Sequence, residues 1–269
     1  MNKKLALPAV LMMVSVCAHA ESDTDGEWEF EFTPYLWASA MTGDVEVKKP
    51  VSIGPISRTL PKTSVDMDFS DIWNILDFGA MGAFEARKDR VGILFDAIYM
   101  KVSDSASVDG PLGLANFKAK ATLKQTMISA ALAYRILDEE TKFDLIGGAR
   151  YVKMDLDVSV NATSPIPALD NRLGKVKRNP DRDWVDPFFG ARIQHQLNNQ
   201  WSIDGYGDVG GFGVGSDFTW QASVGAGYKF TDNITGKFGY RYMSIDYDHN
   251  KFVYDMVLDG VYAGASIKF

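Results

Sequence analysis

The sequence predicts an all-β chain that crosses a membrane as an antiparallel up-and-down β-barrel of about ten strands, within a range of eight to twelve. Three observations carry this reading. The first twenty residues have the layout of a cleaved export signal. The rest holds no apolar run long enough to cross a bilayer as a helix. It is instead a succession of short segments with period-two alternation, separated by turn residues.

Lys3 and Lys4 open the signal, residues 5–16 form an apolar run broken only by Pro8 and Ser15, and Ala18-His19-Ala20 gives a small-x-small cleavage site. Residues 1–20 are therefore read as signal peptide and 21–269 as one barrel domain. Cys17, the only cysteine, lies inside the signal, and Val16 before it argues against lipidation. The mature chain then has no thiol, disulfide or cysteine metal ligand. Losing Lys3 and Lys4 takes the formal charge from −7 to −9. An acidic exported chain is a poor partner for nucleic acid, which needs clustered Lys and Arg. Crossing a membrane without helices requires a closed sheet, because lipid satisfies no open strand edge.

Alternation is clearest at the C-terminus. Val257, Asp259, Val261, Ala263, Ala265, Ile267 and Phe269 share one face, and Leu258, Gly260, Tyr262, Gly264, Ser266 and Lys268 the other. Further back, Phe238, Tyr240 and Tyr242 alternate with Lys237, Gly239 and Arg241, and Trp220, Val224 and Tyr228 with Gln221, Gly225 and Lys229. The same pattern recurs with Ile203 against Asp204, Phe189 against Arg192, Leu145 against Asp144, Phe95 against Asp96, Phe84 against Glu85 and Phe30 against Glu31. Between 118 and 136 the parity changes near Gln125, which suggests either a β-bulge or a register that the pattern does not fix.

Connections alternate in length. Residues 88–90, 138–141, 198–200 and 231–233 are short turns, whereas 41–76, 104–117, 159–182, 214–218 and 248–252 are longer. Membrane barrels have short periplasmic turns and longer external loops. Trp28, Tyr134, Trp201, Tyr228, Phe230 and Phe269 fall near short-turn ends, and Tyr99, Tyr151, Trp184, Trp220 and Tyr242 near long-loop ends, as two interfacial girdles would.

With the apolar faces toward lipid, the other faces line a polar lumen. They carry Glu29, Glu31, Glu85, Arg87, Asp96, Asp144, Arg150, Arg192, Asp204, Asp208, Lys237 and Arg241, with Asp186 and Lys229. A barrel of this size has a narrow lumen filled by side chains. Buried charges must pair, so a network of cross-strand ion pairs closing the bore is expected. A narrow channel for small ions or solutes is the alternative.

Chemistry-bearing motifs are sparse. Gly205-x-Gly207-x-x-Gly210 spells a dinucleotide fingerprint but lies within a strand pattern and opens no helix. His195 has no catalytic neighbour in sequence. His249 stands with Asp246 and Asp248 in the last long loop, and Asp66 and Asp68 lie in the first; closure of a barrel makes these loops neighbours. That set is similar in outline to the omptin proteases, although its spacing Asp-Tyr-Asp-His differs from theirs. Its plainer reading is a solvated acidic loop holding divalent cations among lipopolysaccharides. No catalytic residue, metal or cofactor is assigned. Residues 71–77 predict one amphipathic helical turn against the rim.

Phe32-Thr33-Pro34-Tyr35-Leu36-Trp37, Val65-Asp66-Met67-Asp68-Phe69-Ser70-Asp71 and the segment 77–99 resemble a widespread group of proteobacterial outer-membrane β-barrel proteins of the small OmpA/OmpW-like type. Ser266-Ile267-Lys268-Phe269 looks like the C-terminal signal read by the barrel-assembly machinery. The resemblance implies the fold and a place in the cell outer membrane and brings no catalytic residues with it; a monomer in contact with lipid and lipopolysaccharide is expected.

Overall fold

The computed structural model describes residues 26–48, 50–53, 56–59, 62–109, 116–163, 175–178, 181–249 and 252–269; the expected signal peptide lies outside them. In chain order the elements are β1 (Glu29–Val47), β2 (Pro50–Ile53), β3 (Ile56–Thr59), β4 (Thr63–Met67), α1 (Phe69–Ile75), β5 (Leu76–Lys88), β6 (Val91–Asp109) and β7 (Asn116–Asp138). There follow β8 (Thr141–Thr163), β9 (Lys175–Arg178), β10 (Asp181–Gln196), β11 (Trp201–Gly210), β12 (Phe218–Lys229), β13 (Ile234–His249) and β14 (Phe252–Lys268).

Ten of these strands close into a barrel in which β1, β5–β8 and β10–β14 each pair antiparallel with the next. β14 returns to β1 in an unbroken register from Tyr35↔Gly264 to Val47↔Phe252. The other four strands are short and belong to the long loops: β2 pairs β3, β4 pairs β1, and β9 pairs β8. The ten-stranded up-and-down architecture is thus as the alternation predicts.

Outward side chains in the lower part of the wall are apolar and bare: Val224 is 65 % exposed and Leu132 62 %. A continuous belt of this kind has no place in water and marks the lipid-facing surface. The pattern then inverts. On β13 the outward residues change from Phe238, Tyr240 and Tyr242 to Ser244, Asp246 and Asp248. The inward ones change from Lys237 and Arg241 to Met243, Ile245 and Tyr247, with Met243 only 1 % exposed and Ile245 fully buried. β14 does the same, with Asp255 outward between the buried Tyr254 and Met256. Membrane crossing needs roughly nine to eleven residues per strand. β7 and β8 have 23 each, so they run on into water, where the inside must be apolar and the outside polar.

This inversion corrects the bulge expected near Gln125. β7 keeps one register there, with Gln125 opposite Met100 on β6 and Met154 on β8. The irregularity lies between Arg135 and Leu137 instead. The apparent parity change is the point where the outward face leaves lipid.

Two devices complete the wall. β5 pairs β1 only up to Pro34, and β4 covers β1 above that from Met41 to Val45. Helix α1 lies at this seam and buries Ile72 among the barrel's inner side chains. It begins in a capping box: the Asp68 carboxylate accepts the Asp71 N–H, and the Asp71 carboxylate accepts the Asp68 N–H. On the far side β11 and β12, with 10 and 12 residues, are the shortest barrel strands. Their connection turns tightly through Gly211 and Gly213, both at positive φ, where glycine carries no Cβ penalty. Asp186 fixes this turn by accepting the Ser216 N–H at 2.6 Å and its hydroxyl at 2.7 Å.

Candidate functional site

The bore is the candidate site, and it is built in three layers. At the short-turn end, Asp144 on β8 collects Arg135 from β7 at 2.9 Å, Arg87 from β5 at 3.0 Å and Arg192 from β10 at 2.6 Å. Glu85 accepts from Arg87 Nε at 2.8 Å and from Arg192 Nη1 at 2.8 Å. Five charges from four strands are thereby held together, each matched by the others. Beside them Lys237 Nζ reaches Glu31 at 2.7 Å.

The middle layer is a hydrogen-bonded belt around the wall. Asp208 Oδ2 accepts from Arg150 at 2.7 Å, Tyr206 at 2.5 Å and Gln221 at 2.5 Å. Gln221 Oε1 accepts from Arg241 Nη2 at 2.7 Å, Arg241 Nη1 donates to the Tyr35 hydroxyl at 3.2 Å, and that hydroxyl donates to Asp96 at 2.7 Å. The guanidinium of Arg150 lies 4.9 Å from the Phe188 ring centre and that of Arg241 4.8 Å from that of Trp37.

The outer layer is apolar, which corrects the expectation of a polar lumen throughout. Trp37, Met41, Met100, Met127, Val152, Met154, Trp184, Met243, Ile245 and Met256 belong to one buried cluster drawn from seven of the ten barrel strands and from α1. Methionine suits the filling of such an irregular space, being unbranched and flexible. Trp184, expected in the interfacial girdle, instead points inward and stacks on Tyr247 at 4.3 Å.

Of the twelve charged residues expected in the lumen, Glu31, Glu85, Arg87, Asp96, Asp144, Arg150, Arg192, Asp208, Lys237 and Arg241 take part in the ion pairs or belt just described. Among the described residues, Asp204 has only the Tyr262 hydroxyl, at 3.4 Å, and Glu29 lines the open short-turn mouth without an ion pair. Arg135, Gln221, Tyr35 and Tyr206 share the network and were missed. Arg135 lies in the segment where the alternation changes, and Gln221, Tyr35 and Tyr206 carry no charge to mark them as members of an ionic network.

At the rim, the carboxylate beside His249 among the described contacts is that of Asp217 rather than one of the expected set. His249 Nε2 lies 3.2 Å from Asp217 Oδ1 without the geometry of a hydrogen bond. Asp68 caps α1, and Asp246 stands on the outer surface opposite Asp255, which in turn faces Asp44. Burial, then Asp255, Asp217 and Asp248, push the Asp246 carboxyl up from its ordinary value. His195 bonds Thr141 at 2.8 Å near a short turn, and Gly205, Gly207 and Gly210 lie in β11. Phe269 stacks on Phe30 at 6.0 Å, and the two residues exchange backbone hydrogen bonds of 3.0 and 3.3 Å.

Fold and bore define a ten-stranded transmembrane barrel. No protein-family model matches the chain, and no curated protein matches it. Among solved structures it is similar to the outer membrane protease OmpT from Escherichia coli, at TM-score 0.53 and 12 % identity, covering 93 % of this chain and 99 % of that one. It is also similar to the translocator domain of the autotransporter NalP from Neisseria meningitidis, at TM-score 0.38 and 12 % identity over 91 % of this chain and 89 % of the other. At 12 % identity the likeness to OmpT is one of fold alone.

Proposed function

We propose that the chain is an integral outer-membrane barrel with a sealed lumen and a structural or surface role. Its short-turn end is then periplasmic and its projecting strands face outward. The observation that carries this reading is the contiguous apolar core across the outer half of the bore, joined by the ionic cluster at the inner end. The apolar outer layer is packed in the manner of a protein core, which leaves little room for a water-filled path at that level. The export signal, the terminal Phe269 as an assembly signal, contact with lipopolysaccharide and a monomeric state complete the proposal, in keeping with the small barrels that the sequence resembles. No hydrolytic role is assigned to the rim, where Asp68 is engaged in capping α1 and the carboxylate beside His249 is that of Asp217.

Single-channel recording in planar bilayers tests the reading, with insertion verified by resistance to added protease. The inserted chain gives no steady conductance steps; reproducible steps would establish the narrow channel instead.

A further inference from the structure

Between the ionic cluster and the belt, the bore holds a chamber of about 250 Å³. One wall is apolar: Leu94, Ala131, Ile146 and Phe188 pack together there. Tyr206 packs against the same group, and Tyr35 and Tyr262 also line the chamber. Every ionised pair at its edge is already matched, Glu31 with Lys237 at 2.7 Å, Glu85 with Arg192 at 2.8 Å and Asp96 with Arg241 at 3.6 Å. Glu31, Glu85, Arg192 and Lys237 also line a wider vestibule of about 520 Å³ at the short-turn end, so these two ion pairs form the neck between the two spaces. Toward the long-loop end the chamber is shut by the belt and the methionine-rich core.

We propose that this chamber is a binding site for a small uncharged molecule of one or two fused rings with a single hydrogen-bonding group, entering through the neck. An ionised ligand would set an unmatched charge among matched ones. Water finds no partners on the Leu94–Ile146–Phe188 wall, and an apolar cavity of about 150 Å³ already accommodates benzene. Tyr35 and Tyr206 commit their protons to Asp96 and Asp208 at 2.7 and 2.5 Å, whereas Tyr262 is only 3.4 Å from Asp204. Its loosely held hydroxyl is the one that bonds the ligand. Closure of the chamber toward the outside rests on the sealed reading; its occupancy does not.

Crystals of the full chain in detergent, soaked with 4-bromophenol at neutral pH, test the site through the anomalous signal of bromine. The expected result is a bromine peak inside the chamber, between Phe188 and Tyr262. The peak is absent with 4-bromobenzoate, which is ionised, and absent in A131F, whose ring fills the space. Y262F, which keeps the volume, weakens binding about tenfold. Bromine found only on the lipid-facing surface, or 4-bromobenzoate binding equally well, overturns the proposal, and the wild-type peak decides the matter even where A131F does not fold. A conducting barrel that still showed bromine in the chamber would sink the sealed lumen and leave the site standing.

Discussion

Arg150 Nη2 lies 2.7 Å from Asp208 Oδ2, and the two side chains are 1 % and 0 % exposed. The bond spans from β8 to β11 past the intervening β10, tying the wall to itself through the bore. Removing one partner of a buried pair strands the other charge, which costs about 3–5 kcal/mol. R150M and D208L are each expected to lose that much in urea unfolding from detergent, and the double variant to recover most of it. Additive losses in the double variant would show that the pair does not act as a unit.

The two faces of the wall respond differently to the same kind of change. Val224 faces hydrocarbon near the middle of β12, so V224R costs roughly 2–4 kcal/mol there. Ile245 is fully buried in the outer core, so I245A costs about 2–5 kcal/mol by leaving a cavity. D246R, on the outer surface just above the inversion, is expected to be tolerated. Unfolding midpoints of the three variants check this; a D246R penalty equal to that of V224R would place lipid too low in the present account.

Much of this was legible in the sequence because the period of a strand is fixed. Once Phe238 and Arg241 are set on opposite faces, Lys237, Tyr240 and Tyr242 follow. What the pattern hid was a change of surroundings along a single strand. The alternation around Gln125 on β7 suggests a break in register, because a single solvent is assumed along the whole strand. The structure holds the register and changes the solvent. Trp184 was misplaced for the same reason: a tryptophan near a strand end suits an interfacial girdle as well as a core. Arg135 was lost to the supposed bulge, and with it the third arginine on Asp144.

Helix α1 gives an acid-sensitive element outside the membrane. The Ser70 hydroxyl, and after it the Asp71 N–H, hold the Asp68 carboxyl below its ordinary value. A depressed folded value means the contribution is complete above the ordinary carboxylate range and is lost as pH falls through the folded value. Trp73 fluorescence is therefore expected to hold steady down to about pH 4 and to change only below it. D68N keeps an accepting oxygen at the cap but removes the titrating group, and its acid transition should vanish. The same transition in D68N would assign it to another carboxylate.

The polarity inversion is tested most directly by nitroxide labels placed singly along β13 from Phe238 to Asp248, with their accessibility to oxygen and to a water-soluble nickel complex measured in lipid vesicles. Outward labels at 238 and 240 are expected to collide with oxygen and to be shielded from nickel. Labels at 244, 246 and 248 should show the reverse, and those at 243, 245 and 247 should be shielded from both. Oxygen-dominated exposure continuing outward to 248, or nickel reaching the inward positions, would contradict it.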